Sequence, residues 1–158
     1  MNVLFLCTGN SCRSILAEAI FNSLAPIGWK AVSAGSQPSG TVHPRSRALL
    51  AREGILTGHY HSKSWDRLPV TPDIVITVCA YAAGETCPVY LGAVLRAHWG
   101  VEDPALAVGT DEEIDAVFNA VYSILKMRIK AFLALPLDAL KQEPVRLKDC
   151  MDHIGGLV

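Results

Sequence analysis

Val3-Leu4-Phe5-Leu6-Cys7-Thr8-Gly9-Asn10-Ser11-Cys12-Arg13-Ser14, close to the start of the chain, is the stretch from which the fold is read. Val3 to Leu6 is a continuous apolar run, the pattern of a strand buried on both faces. A helical pattern follows from about Ser14 to Leu24. Between them Cys7 and Arg13 bracket the small and polar residues Thr8, Gly9, Asn10, Ser11 and Cys12. A strand that turns through such residues into a helix aims successive backbone N–H groups and the positive helix end at one point, which suits a tetrahedral oxyanion. Arg13 adds a planar fork of donors for two of its oxygens. The same positive field suits a thiolate nucleophile at Cys7.

Working outward, strand and helix patterns alternate. A strand is expected near Lys30 to Ser33 and a helix over about Pro44 to Glu53, with Pro44 in the first turn. Asp73-Ile74-Val75-Ile76-Thr77-Val78 is the clearest buried strand, and a last short one spans Val94 to His98. A long helix starts at Thr110, where Thr110-Asp111-Glu112-Glu113 forms a capping box, and Ile114, Val117, Val121, Leu125, Ile129 and Phe132 make its apolar stripe. Alternation of this kind predicts an α/β fold, a single domain with a central four-stranded parallel sheet and helices on both faces. Ligands then gather at the carboxyl ends of the strands, where Cys7, Cys79 and the segment after His98 fall. Beyond Phe132, Pro136 and Pro144 interrupt the pattern, and Val145 to Ile154 reads as one more short helix before Gly155-Gly156. The division expected is 1–135 as the main domain and 136–158 as a C-terminal helical extension packed on it.

The chain has 158 residues, 51% of them hydrophobic, enough for one core. Its net charge is −1 and no Lys/Arg cluster marks a face, so no nucleic-acid partner is expected. The N-terminal run lacks a basic region and no apolar stretch approaches membrane-spanning length, which predicts no membrane partner and a cytoplasmic location. The five cysteines, Cys7, Cys12, Cys79, Cys87 and Cys150, form an odd set that argues against a secreted disulfide framework. No metal site is expected: Cys79 and Cys87 lie eight residues apart without Cys-x2-Cys spacing, and the five histidines show no partnered pattern. The glycines near Cys7 do not read Gly-x-Gly-x-x-Gly, so no nicotinamide or flavin fingerprint is visible and no cofactor is expected.

Taken together, the Cys7 to Ser14 stretch, Ser33-Ala34-Gly35, Thr77-Val78-Cys79 with Cys87-Pro88, and His98-Trp99-Gly100 with Asp103-Pro104 resemble arsenate reductases built on the low-molecular-weight protein tyrosine phosphatase fold. The match runs from Met1 to about Phe132. Cys-x5-Arg alone says only that a phosphate-like oxyanion binds; the added segments make the resemblance specific. It implies reduction of arsenate to arsenite by thiols. By this resemblance Cys7 would attack arsenic, Asp103 would protonate the leaving oxygen, Cys79 would displace arsenite to leave a Cys7–Cys79 disulfide, and Cys87 would move that disulfide to Cys79–Cys87. The resemblance further implies that Thr8, Gly9, Asn10, Ser11, Cys12, Arg13 and Ser14 would bind the substrate, and that thioredoxin, or else glutathione with glutaredoxin, would supply the electrons.

Asn10, Glu18 and Ser33 match positions that hold the loop in some relatives, in part through a bound potassium ion. Their companion acidic residue has no counterpart after His61, where Ser62-Lys63-Ser64 stands. The Lys63 ammonium is therefore expected to replace the ion against Glu18.

Plainer roles serve the remaining candidates. Cys12 reads as packing and Cys150 as an incidental thiol; Trp65 and Trp99 read as packing, and His59, His61 and His98 as solvated or packed. If 80–86 is helical in the reduced protein, eight residues at about 1.5 Å each separate Cys79 and Cys87 by roughly 12 Å. A disulfide needs about 4.4–6.8 Å between Cα atoms, so the helix must break on oxidation. Gly84 and Pro88 make that less costly. Two other functions compete: a tyrosine phosphatase, which leaves Cys79 and Cys87 without a task, and an arsenite-binding sensor or buffer using Cys7, Cys79 and Cys87.

Overall fold

The structure is a computed structural model and describes residues 1–80, 90 and 92–158. Four strands, β1 (Asn2–Cys7), β2 (Lys30–Gly35), β3 (Ile74–Thr77) and β4 (Leu95–His98), form one sheet in the order β2-β1-β3-β4. Every pairing is parallel, with Leu6 opposite Ala34 and Thr77, and Thr77 opposite His98. From β1 the chain crosses first to one neighbour and later to the other, so the carboxyl end of β1 is the point where strand order reverses. Parallel sheets bind ligands at that point.

The apolar run reads directly onto the sheet. Val3, Phe5 and Cys7 face one core, and Leu4 and Leu6 face a second. The first core is closed by α1 (Arg13–Leu24), α2 (Pro44–Arg52), α3 (Asp111–Leu133) and α5 (Pro144–Gly155), with α4 (Leu137–Leu140) as a single turn between the last two. The second face carries Trp65, Leu68, Val70, Tyr90 and Val94, so of the helices expected on both faces those among the described residues pack on one.

Helix α3 begins as its sequence dictates: the Thr110 hydroxyl accepts from the Glu113 N–H, and Glu113 closes the box. Helix α5 starts one residue before the expected Val145, with Pro144 in its first turn. Trp99, fully buried, sits between Phe5 of β1 and Phe132 of α3 at ring-centroid distances of 6.1 and 6.2 Å. Such pairs add about 0.5–1.5 kcal/mol each beyond buried area. The segment after β4 is therefore anchored in the core.

Strand β2 runs two residues past Ser33, the end expected from sequence. Gly35 explains the extension: a Cβ there would collide with the Thr8 carbonyl, so only glycine lets the strand end pass beneath the loop. Gly35 also bridges to Ser64, which brings the 62–64 segment alongside the loop.

Candidate active site

Cys7 closes β1 and α1 begins at Arg13, so the intervening loop lies at the sheet's reversal point. Asn10 takes φ +47, a left-handed conformation that asparagine tolerates better than most residues. Helix α1 has neither a side-chain cap nor an acid in its first turn. Its leading N–H groups are thus left for an anion, and the helix dipole favours one there. The buried Thr8 hydroxyl has no hydrogen-bond partner among the described residues.

A directed hydrogen-bond network supports the loop. The Lys63 backbone N–H, which can only donate, lies 2.9 Å from Asn10 Oδ1 and fixes the orientation of the amide. Asn10 Nδ2 then donates to Ser14 Oγ at 2.8 Å and to Ser33 Oγ at 3.0 Å. The Ser33 hydroxyl donates in turn to Glu18 Oε1. Ser14, having accepted from Asn10, has its proton free for Cys7 Sγ, 2.9 Å away. The Asn10 backbone N–H adds a second donor to that sulfur at 3.3 Å. Both contacts aim a donor at the Cys7 sulfur.

Glu18 and Lys63 close the network from behind, with Nζ 3.7 Å from Oε1. Burial pushes the Glu18 carboxyl up and the Lys63 ammonium down, while the charge of each pulls the other back. Burial likewise pushes the Cys12 thiol up, which fits a packed side chain. Among the described residues no group of three or more His, Cys, Asp or Glu is placed to hold a metal ion.

On the opposite side, Arg13 is 4% exposed and donates from Nη1 to the Val101 carbonyl at 3.3 Å. Its Nη2 lies 3.5 Å from Asp103 Oδ2. Asp103 Oδ1 accepts from the Ala105 N–H, capping a short 3-10 turn at Pro104–Leu106 that aims the carboxylate.

Cys79 is fully buried just beyond β3. With Leu6 opposite Thr77 and Val78 N–H bonded to the Leu6 carbonyl at 3.0 Å, the chains leading to Cys7 and Cys79 leave the sheet side by side. Adjacent strands are about 4.7–4.9 Å apart. Cys79 is disulfide-bonded, while Cys7, Cys12 and Cys150 are free. Ala80 lies outside any helix, and the expectations for Cys87 and for a helix over 81–86 lie outside the described residues.

The structure thus brings Cys7, Arg13, Ser14, Asn10, Glu18, Ser33, Lys63 and Asp103 into one site. Two participants have no signal in the sequence: the Lys63 backbone N–H, visible only once Gly35 pairs with Ser64, and the Val101 carbonyl. Trp65 and Trp99 pack in the cores, and Cys150 is half-buried on α5.

A cysteine and an arginine thus close the loop between β1 and α1 at the reversal point of a four-stranded parallel sheet. The low molecular weight phosphotyrosine protein phosphatase profile matches residues 2–146, and the chain belongs to that family. Within it, the arsenate reductase of Halalkalibacterium halodurans is 40% identical over 131 residues, spanning 82% of this chain and 93% of that protein. A solved arsenate reductase from Archaeoglobus fulgidus superposes with a TM-score of 0.70 at 31% identity, over 83% of this chain and 98% of that one. An arsenate reductase solved in its phosphate-binding state gives 0.66 at 28% identity, over 84% and 96%.

Proposed function

We propose that this protein reduces arsenate to arsenite by a relay of its own thiols. The observation that carries the proposal is the adjacency of two chain ends: Cys7 at the mouth of the oxyanion loop, and Cys79 on the neighbouring strand's exit.

Arsenate is held by the loop N–H groups and the Arg13 fork. The Cys7 thiolate, oriented by Ser14 and the Asn10 N–H, attacks arsenic; an As–O bond breaks and Asp103 supplies the proton, so the oxygen leaves as water. The Cys79 thiolate then attacks Cys7 sulfur. The S–As bond breaks with its electron pair going to arsenic, giving arsenite and a Cys7–Cys79 disulfide. Cys87 attacks Cys79 sulfur in turn, regenerating the Cys7 thiolate and leaving Cys79–Cys87 oxidised. Asn10, Glu18, Ser33 and Lys63 act behind these steps by keeping the loop in its binding conformation.

Because the product is an intramolecular disulfide, its reduction suits a dithiol donor, and thioredoxin is the partner assigned; glutathione with glutaredoxin is the alternative. Ester hydrolysis needs only Cys7, Arg13 and an acid, so weak phosphatase activity accompanies the reaction and serves as a probe. The test is NADPH oxidation on arsenate addition with thioredoxin and its reductase supplied. Turnover is expected, and its absence with thioredoxin but presence with glutaredoxin and glutathione reassigns the donor.

A further inference from the structure

Arg128 is a buried polar side chain of α3, 3% exposed, that the proposed chemistry does not use. It interrupts the apolar stripe beside Leu125 and Ile129, where a leucine or methionine would satisfy the core. Its hydrogen bonds go to carbonyls: Nη1 donates to Trp99 at 3.0 Å and Gly100 at 3.2 Å, and Nε to Leu157 at 3.0 Å. Burying a guanidinium against neutral acceptors is costly, so its retention calls for a reason beyond packing.

The acceptors supply that reason. The carbonyl of the next residue, Val101, is the one held by Arg13. Two arginines therefore grip three successive carbonyls of the segment that delivers Asp103. The other side of the segment is tied to the sheet by Trp99 N–H to Thr77 and Val101 N–H to Val78. There is no slack at its centre, since a Cβ on Gly100 would stand 2.7 Å from the Cys79 carbonyl. The C-terminal residues complete the clamp: Trp99 Nε1 donates to the Met151 carbonyl at 2.9 Å, and Leu157 accepts from Arg128.

We propose that Arg128 is a positioning residue for the general acid, holding the Trp99–Val101 segment at the depth that keeps Asp103 beside Arg13, with the C-terminal extension braced against it. The proposal rests on the assignment of Asp103 as the acid.

Phosphate esters test it without arsenate. Phenyl phosphate needs a proton on its leaving oxygen, whereas para-nitrophenyl phosphate, with a far better leaving group, needs it little. Arg128→Met is expected to lower kcat/KM for phenyl phosphate about tenfold more than for para-nitrophenyl phosphate, a part of the 10²–10⁴ that an acid contributes. Combined with Asp103→Asn, it should add no further selective loss. A purely structural role predicts equal losses on both esters, or additive effects in the double variant, and either result overturns the proposal. Should Arg128→Met lack a cooperative melt, Arg128→Lys reads the same ratio, with a smaller selective loss expected and a wild-type ratio overturning the proposal. If Asp103→Asn itself leaves the ratio unchanged, the acid assignment falls. That outcome is distinct from one in which only the Arg128 variants leave it unchanged.

Discussion

The Arg13 guanidinium lies 3.5 Å from the Asp103 carboxylate, so the group assigned to bind the oxyanion and the group assigned to protonate it are each other's partners. The pairing sets opposite expectations for binding and turnover. Asp103→Asn should reduce kcat with arsenate by about 10²–10⁴, the usual contribution of a general acid. Phosphate should inhibit that variant at least as well as wild type, because a carboxylate that repels an anion has been removed. Inhibition constants and kcat measured together check this, and a large loss of phosphate affinity would mean that Asp103 holds Arg13 in place rather than supplying a proton.

Asn10 is the hub of the loop, joining Ser14, Ser33 and the Lys63 N–H in a left-handed conformation. Asn10→Ala should cost about 3 kcal/mol, from buried partners left unsatisfied and from backbone strain. Asn10→Gly relieves the strain without restoring the amide and should recover about 1 kcal/mol of it. Urea unfolding measures both; a loss near 0.5 kcal/mol in the alanine variant, the size of an ordinary surface change, would contradict the network.

Much of this arrangement was legible before folding was considered, and the exceptions share a cause. Val3 to Cys7 and Asp73 to Val78 announce themselves by continuous apolar composition, and Thr110 to Glu113 by a local capping pattern; these signals lie within a few neighbouring residues. Ala34 and Gly35 continue β2 against their weak strand preference because the register with Leu6 and Cys7 holds them. Lys63 reaches Asn10 through the bridge between Gly35 and Ser64, a contact that no periodicity encodes. Arg128 carries no signal in the sequence, because its role depends on the carbonyls of Trp99 and Gly100 that folding brings beside it. Contacts made by backbone groups far apart in sequence leave no mark in residue type.

Lys63 stands 3.7 Å from Glu18, and its ammonium is expected from the sequence to take the place of a potassium ion there. With its ammonium supplying the positive charge, exchange of sodium for potassium at constant ionic strength should leave activity and Tm nearly unchanged. Lys63→Asp should create an ion requirement. Ionic strength must be held fixed because bulk salt also screens the approach of arsenate. A potassium-specific rise in wild-type Tm, the signature of an ion that binds only the folded state, would contradict the substitution.

His98 lies at the end of β4, with Nδ1 2.7 Å from Thr77 Oγ1. Burial, and then the nearby Arg128 charge, push its pKa below the ordinary histidine value. The folded state thus prefers the neutral ring. Its contribution to stability is full above the unfolded value, about pH 6.5, and is lost as pH falls through the lower folded value. Glu18, raised by burial, works in the opposite sense, so the difference between wild type and His98→Gln is the quantity to read. Wild type should lose more Tm than His98→Gln on going from neutral to mildly acidic buffer; equal losses would mean that His98 titrates alike in both states.

The thiols differ in what their loss permits. Cys7→Ser should abolish both arsenate reduction and phosphatase activity, whereas Cys79→Ser should retain the phosphatase activity, which needs no second thiol. In Cys87→Ser, one turnover should end at a Cys7–Cys79 disulfide and only recycling should stall. Peptide mass spectrometry after one equivalent of arsenate reads the linkage directly, and finding Cys12 or Cys150 as the main partner would overturn the assigned roles.

The central claim, that arsenic receives its two electrons from this chain's own thiols, is tested most directly by a single turnover. Fully reduced protein, freed of external reductant, is mixed with excess arsenate, and arsenite and free thiols are counted together. The account predicts one arsenite per chain, two thiols lost, a Cys79–Cys87 disulfide in the wild type, and no arsenite from Cys79→Ser. Arsenite formed equally well by Cys79→Ser, or thiols lost without arsenite, would contradict it.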